Sequence, residues 1–326
     1  MNNDLELMDL INEIDSDDDT ISTTSYYSSD SDYTIEEDYE ERENHIRYLN
    51  KNDCSILQPK TILTKLYNYQ LKSLCKMIEI ENTGYIKNIY YGNEKYHIRC
   101  LNNPPVLCNL KTNIGIYSDK KGKISTLISL IKLNEKIANY PIIQKTGSGL
   151  ELTKKINDNL VLNQTLLIVE HTDVNRIYNE FNKCCPSLKV LLIATQKHLD
   201  NIVIGSWEDD NIWSKEGTKV INKEELINDA INNYDVILVS HILYIRLYQS
   251  TKYHKWNRVI IINCNNYELP QNLELRFNFL WFSMSNYMEL YDNNCKFIND
   301  IFGKEEDDIK AILEYLVVIN KQLKLN

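Results

Sequence analysis

Five short apolar runs limit the folds open to this chain more than any other feature of its sequence. Each run is five or six residues long, and most are rich in β-branched residues. They are IGIYS (114–118), TLLIVE (165–170), KVLLIA (189–194), DVILVS (235–240) and RVIIIN (258–263). Continuous apolar runs of this length are typical of strands that are buried on both faces of a parallel sheet.

Helical patterns lie between these runs, at residues 126–138, 174–184 and 223–231. Alternation of strand and helix predicts an α/β domain of three layers with a mostly parallel sheet. We assign residues 46–300 to this domain. The amphipathic segment within 301–326 is predicted to be a C-terminal helix that closes the domain.

The charge of the chain is divided unevenly. The net charge is −10, but residues 1–43 hold 16 acidic residues and one Arg, which gives −15. The remaining 35 basic and 30 acidic residues give +5. A segment this acidic, with few apolar residues, cannot offset the entropy cost of ordering. We therefore predict a disordered acidic tail over 1–45, which either docks on protein partners or is simply solvated.

Composition also argues against several classes of protein. No stretch approaches the ~18 consecutive apolar residues of a membrane span, so no membrane association is expected. The acidic start MNNDLELMDL predicts no secretory signal. Eight cysteines without a CxxC pair predict reduced thiols and no zinc site. The +5 charge of the remainder allows contact with a nucleic-acid backbone without establishing it.

Several segments occur in an order that resembles a known family. They are LTKLYNYQLKSLCKMIEIE (63–81), NIGIYSDKKGKISTLISLI (113–131), TLLIVEHTDVNRIYNEFNKCCPSLKVLLI (165–193), YDVILVSHILYIRL (234–247), WNRVIIINCNNYELP (256–270) and FNFLWFSMSN (277–286). Together they resemble the N-terminal ATPase lobe of Swi/Snf-type superfamily-two helicases of large DNA viruses, of the poxvirus early transcription factor type. The resemblance covers residues 60–290 and implies a single RecA-like lobe.

The resemblance implies a nucleotide site. In the family, a Gln after an aromatic-rich segment reads the adenine edge, because an amide both donates and accepts hydrogen bonds. Gln70 holds that position here. The alternative is an ordinary surface Gln on a helix. In the phosphate loop, four residues match the family pattern: Gly115, Asp119, Gly122 and Thr126, the last at the Mg²⁺ position.

The same loop departs from the pattern at its lysine. In the register set by Asp119, Ser125 stands where the family has the lysine, and Ile124 replaces the second glycine. A shifted register places Gly122-Lys123 at the Gly-Lys pair, but Ile124 then stands where a hydroxyl is needed. We therefore expect a vestigial nucleotide site made of Gln70, Gly115, Asp119, Gly122, Lys123, Ser125 and Thr126.

Two further departures bear on catalysis. The acidic box that holds Mg²⁺ and polarises water in the family is Ile262-Asn263-Cys264-Asn265 here, without a carboxylate. The second lobe, which supplies arginine fingers in the family, has no counterpart in this sequence. With Ser125, these departures predict that the chain is not an enzyme, with no catalytic or metal-binding residue. No resident cofactor is expected beyond weak ATP binding.

Three functions remain as alternatives. The first is a catalytically inactive helicase-like lobe that serves as a binding or scaffold module in viral transcription or virion assembly. The second is one half of a split nucleic-acid-dependent ATPase whose second lobe is a separate chain. The third is a structural virion protein. The expected location is a cytoplasmic viral factory or the virion.

Overall fold

The computed structural model describes eight stretches of the chain. They are residues 48–91, 106–137, 151–152, 161–203, 230–251, 254–267, 275–290 and 313–320. The predicted acidic tail (1–45) lies outside the described residues, as does nearly all of the predicted helix at 223–231. No helix within these stretches has the length and apolar character that crossing a bilayer requires.

A seven-stranded sheet forms the centre of the fold, and all of its strand pairs are parallel. The strands in chain order are β1 (Tyr85–Tyr91), β2 (Val106–Thr112), β3 (Ile114–Tyr117), β4 (Glu151–Leu152), β5 (Val161–Val169), β6 (Val190–Ile193), β7 (Val236–Ser240), β8 (Lys255–Ile262), β9 (Phe277–Ser283) and β10 (Val317–Val318). The order across the sheet is β10-β3-β9-β8-β5-β7-β6. A second sheet of order β1-β2-β4 was not predicted from the sequence.

The predicted fold class is confirmed. The five apolar runs become β3, β5, β6, β7 and β8, and most of their side chains are buried. The architecture is the α/β, RecA-like one, with parallel strands joined by crossovers that contain helices. β9 adds a fully buried aromatic-rich strand between β3 and β8.

Within the described stretches, five α-helices of eight residues or more accompany the sheet: α1 (Asn68–Thr83), α2 (Lys123–Leu133), α3 (Val174–Cys184), α4 (Gln196–Val203) and α5 (His241–Thr251). α1 packs against α2, and α2 packs against α3. The predicted helix at 174–184 has the same bounds as α3. The helix predicted at 126–138 begins three residues earlier, because Gly122 in the left-handed conformation turns the chain directly into it.

The C-terminal segment differs from its predicted helix. Residues 313–316 are helical, but Val317–Val318 forms β10, which pairs in parallel with β3. The β-branched side chains of Val317 and Val318 are buried at this edge of the sheet. Burial beside β3 therefore prevails over the helical pattern of the surrounding residues.

A buried ion pair connects α1 to the sheet. The Arg258 guanidinium donates to both carboxylate oxygens of Glu81, with Nε–Oε1 and NH2–Oε2 distances of 2.6 Å each. Trp281 Nε1 and Asn134 Nδ2 donate to the same carboxylate at 2.8 and 2.7 Å. The ion pair is fully buried, so this bonding fixes the C-terminal part of α1, the helix that carries Gln70 near its other end.

Candidate nucleotide-binding site

The candidate site begins in the turn between β3 and α2, residues 118–122. Gly122 has φ 69° and ψ 15°, the left-handed conformation that glycine adopts without steric cost, and α2 starts at the next residue. Parallel α/β sheets bind ligands outside the carboxyl ends of their strands, and a helix amino terminus offers free N–H groups to anions. This turn combines both features.

A glycine is also needed at position 122 because the Gln70 side chain of α1 lies very close to its Cα atom. A Cβ atom at this position would lie 2.5 Å from Gln70 Nε2, so no larger residue fits without displacing that side chain. Gln70 Nε2 donates to the Gly122 carbonyl at 2.9 Å and to Thr126 Oγ1 at 3.2 Å, while Gln70 Oε1 accepts from the Tyr67 N–H at 2.9 Å. The buried amide of Gln70 thus ties α1 to the start of α2.

Asp119 anchors the first half of the turn. Its carboxylate accepts hydrogen bonds from Ser73 Oγ at 2.8 Å, from Asn320 Nδ2 at 2.9 Å and from the Asn320 backbone N–H at 2.9 Å. Burial raises the pKa of Asp119, and these hydrogen bonds oppose that effect. Asp119 therefore holds the turn against α1 and the segment after β10.

Lys123, the first residue of α2, extends to the carboxyl ends of two neighbouring strands. Its ammonium lies 3.2 Å from Asn263 Oδ1, just after β8, and 3.0 Å from Ser285 Oγ, two residues after β9. Burial lowers the pKa of Lys123, while the nearby carboxylate of Glu289 opposes that effect. The site thus contains a lysine ammonium at a helix amino terminus and against the edge of a parallel sheet.

The residues in place of the acidic box have two different surroundings. Ile262 ends β8 with its side chain in the core. Asn263 is next, in the left-handed conformation at φ 51° and ψ 48°, and its N–H donates to the Ser283 carbonyl at 2.8 Å. Asn adopts this conformation more readily than most side chains do. Of the two asparagines in the box, Asn263 accepts a hydrogen bond from Lys123 through its amide oxygen.

The contacts of three other predicted site residues, Gly115, Thr126 and Ser125, are with the protein's own fold. Gly115 lies inside β3, and a Cβ atom there would be 2.3 Å from the Trp281 ring, which gives this glycine a packing reason. Thr126 is buried, and its hydroxyl donates to the Gly122 carbonyl at 3.1 Å. Ser125 is half-buried in the first turn of α2. Their roles toward a nucleotide remain predictions.

The histidine and aspartate after β5 belong to a neighbouring part of the same sheet edge. His171 Nδ1 lies 3.0 Å from Ser240 Oγ at the end of β7, and Asp173 accepts from Arg176 Nε at 2.9 Å. The first contact joins the ends of β5 and β7, and the second lies between the turn after β5 and the start of α3.

Sequence reasoning missed the partners that define the site. Ser285 and Asn320 were not predicted as site residues, and Asn263 was regarded only as the loss of a carboxylate. Ser285 and Asn263 lie 162 and 140 residues from Lys123 along the chain. A signal for Asn263 was present, because an amide oxygen at the position of a carboxylate can still accept a hydrogen bond from a lysine.

Comparisons with known proteins point to a helicase-like relationship. No protein-family profile matches the chain. The mimivirus protein named "Putative helicase R592" (Acanthamoeba polyphaga mimivirus) is 24% identical over 328 residues, which cover 84% of this chain and 38% of that protein. The chain thus spans well under half the length of that relative. Among solved structures, the Sulfolobus solfataricus SWI2/SNF2 ATPase core in complex with dsDNA matches 82% of this chain and 47% of its own, with 14% identity and a TM-score of 0.45.

The prediction that the chain is not an enzyme is wrong, because the viral protein to which it is similar is named as a helicase. That prediction depended in part on Ser125 at the lysine position. In the structure, the ammonium of Lys123 instead lies at the amino end of α2 and against the strand ends. The loss of a phosphate-binding lysine therefore cannot be deduced from Ser125.

Proposed function

We propose that this chain is the nucleotide-binding lobe of a viral helicase-like assembly and binds a nucleoside triphosphate at the amino end of α2. One observation carries the proposal: Lys123 begins α2, and its ammonium lies 3.2 Å from Asn263 Oδ1 and 3.0 Å from Ser285 Oγ. A helix amino terminus carries partial positive charge, and a lysine there adds a full charge for phosphate oxygens.

The residues around Lys123 suit this assignment. Gly122 is exposed, so phosphate oxygens could approach the backbone at the start of α2. Lys120 and Lys121 are exposed in the same turn and add positive charge. In this proposal Lys123 acts as the phosphate-binding lysine, in the shifted register of the loop.

The base would lie on the side of the site formed by α1. Tyr67 stacks on Tyr69 with ring centroids 5.7 Å apart, and Tyr67 is 69% exposed. Gln70 lies one residue beyond Tyr69, and its amide already touches the Gly122 carbonyl. Stacking on the exposed Tyr67 ring would hold the base, while Gln70, whose amide is engaged by Gly122, Thr126 and Tyr67, fixes α1 beside the site.

The wider role is part of the same proposal. The lobe would serve as a binding or scaffold module in viral transcription or virion assembly, in a viral factory or the virion. Its acidic tail, with a charge of −15 over residues 1–43, would contact protein partners. A second lobe could complete the nucleotide site, as in a split nucleic-acid-dependent ATPase.

Nucleotide titration of the full-length protein tests the proposal. With a fluorescent ATP analogue, we expect Lys123→Ala to weaken binding about 10- to 100-fold, since a charge-assisted hydrogen bond is lost. Lys121→Ala is the matched control, because it removes the same charge from an exposed position in the same turn, and should weaken binding less than about fivefold.

Equal affinity for Lys123→Ala and the unaltered protein would contradict the proposal, as would equal losses in the two variants. The same pair of proteins also identifies the source of any ATP turnover. Turnover that is lost in Lys123→Ala and kept in Lys121→Ala comes from this site.

A further inference from the structure

The donor atoms beside Lys123 do not suit the Mg²⁺ ion that accompanies ATP in the family that this chain resembles. Mg²⁺ prefers carboxylate and water oxygens in octahedral geometry. The side chain of Ile262 is apolar and buried, and the hydroxyl of Thr126 is engaged by Gly122 and Gln70. Within the described residues, no group of three or more acidic, His or Cys side chains could hold a metal ion.

The Lys123 side chain places a positive charge of the protein itself at this position. The Lys123 ammonium is held between Asn263 Oδ1 and Ser285 Oγ, at the carboxyl ends of β8 and β9. A carboxylate at position 263 would form an ion pair with the lysine and cancel much of its charge. The neutral amide of Asn263 positions the ammonium and leaves that charge available to an anion.

The backbone fixes the amide in this place. Asn263 is the one non-glycine residue with positive φ among the described residues, and its N–H is bonded to the Ser283 carbonyl. Left-handed backbone at a non-glycine residue costs of order 1–3 kcal/mol and persists where the surroundings enforce it. The position of Asn263 is thus set by the junction of β8 and β9.

The carboxylates whose charge acts on the pKa of Lys123 are Glu289, Asp119 and Asp173. Asp119 is bonded to Ser73 and Asn320, and Asp173 is paired with Arg176. Glu289 is therefore the carboxylate that a metal ion at this site would have to recruit, and it is the residue that a test must vary.

Two serine hydroxyls are buried at the same edge of the sheet, at the carboxyl ends of β3 and β9. Ser118 comes directly after β3 and Ser283 ends β9, and these strands pair with Tyr117 opposite Ser283. Neither hydroxyl has a hydrogen-bond partner among the described residues. A buried hydroxyl of this kind can donate to a water molecule that contacts a phosphate oxygen.

We propose that this site binds its nucleotide as the free polyphosphate anion, without Mg²⁺, with Lys123 in the role that the metal ion has elsewhere. The inference rests on the proposed function, because it concerns the same ligand and the same helix terminus. It adds that Asn263 is a specificity-determining residue: its amide lets the site bind the metal-free phosphate at least as tightly as the magnesium complex.

The test is a titration of the full-length protein with a fluorescent ATP analogue, in EDTA and in excess Mg²⁺. We expect the Kd in EDTA to be equal to or tighter than the Kd in Mg²⁺, because the uncomplexed triphosphate carries more negative charge for Lys123. Binding that weakens by about tenfold or more in EDTA would overturn the inference while leaving the proposed function intact. Absence of binding in both solutions would contradict the proposed function itself.

Two variants locate the effect. Asn263→Asp should weaken binding in EDTA by about tenfold, because a second carboxylate pairs with Lys123 and repels phosphate. Added Mg²⁺ should restore part of that loss. Asn263→Asp with unchanged affinity in EDTA would overturn the role of the amide. Glu289→Gln should leave the response to Mg²⁺ unaltered, and a Mg²⁺ requirement that disappears in this variant would instead show a metal site on Glu289.

Discussion

The carboxylate of Glu81 connects α1, the end of α2 and two strands. It accepts from Arg258, from Trp281 and from Asn134, and the ion pair is fully buried. Arg258 also donates to Thr165 Oγ1 at 3.2 Å in β5. Two buried charges of this kind are tolerated only when the remaining donors and acceptors are satisfied. Removing one partner alone should therefore be far more costly than removing a surface charge.

We expect Glu81→Ala to reduce the free energy of unfolding by about 3–5 kcal/mol, since Arg258 would be left buried without a counter-charge. Urea denaturation followed by circular dichroism measures this. The control is Glu79→Ala, which breaks the partly exposed pair with Lys76 on the same helix and should cost about 1 kcal/mol or less. Equal losses in the two variants would contradict the account of the buried pair.

Among the elements, β10 is short but contacts the site. It pairs with β3, and Asn320, just beyond it, bonds to the Asp119 carboxylate in the turn. The segment before β10 carries Glu314, and burial raises the pKa of this carboxylate to about 7. The stability of the C-terminal segment should therefore depend on pH near neutrality.

The direction of this pKa shift fixes the sign of the pH dependence. A carboxylate whose pKa is raised by folding contributes stability that is complete below its ordinary pKa of 4.5 and is lost as pH rises through about 7. We expect the urea midpoint of the unaltered protein to fall between pH 5 and pH 8, relative to that of Glu314→Gln. Parallel pH profiles for the two proteins would show that Glu314 is not the titrating group.

At the scale of the whole molecule, the negative charge and the candidate nucleotide site lie in different parts of the chain. Residues 1–43 carry −15, whereas the residues of the candidate site lie between Tyr67 and Asn320. The composition of the tail predicts disorder, and disordered termini are preferred sites of proteolysis. The folded sheet should resist cleavage under the same conditions.

Mild proteolysis of the full chain should therefore cut first within residues 1–43. The remaining protein should bind the ATP analogue with the affinity of the intact chain. Mass spectrometry of the products and titration of the digested sample measure both outcomes. First cleavage inside β5 or β8, or a nucleotide affinity that falls as the tail is removed, would contradict this division of the molecule.

What the sequence determined by itself is the fold class and five of the strands in the central sheet, β3, β5, β6, β7 and β8. Strands such as β7 and β8 are buried on both faces, so nearly every residue in them must be apolar, and that requirement is visible in a short window of sequence. The helix at 174–184 was equally readable from its spacing of apolar residues. β10 was not, because two valines inside a helical pattern become a strand only beside β3.

Tertiary structure alone decided which polar groups meet around the turn between β3 and α2. From sequence, Asp119 aligned Ser125 with the lysine position. In the fold, Gln70 meets Gly122 from 52 residues away, α2 begins at Lys123, and its ammonium reaches Asn263, 140 residues further along the chain. Hydrogen bonds between such distant residues leave no periodic pattern in the sequence. Burial does leave one, which is why the strands could be predicted and the polar contacts of the site could not.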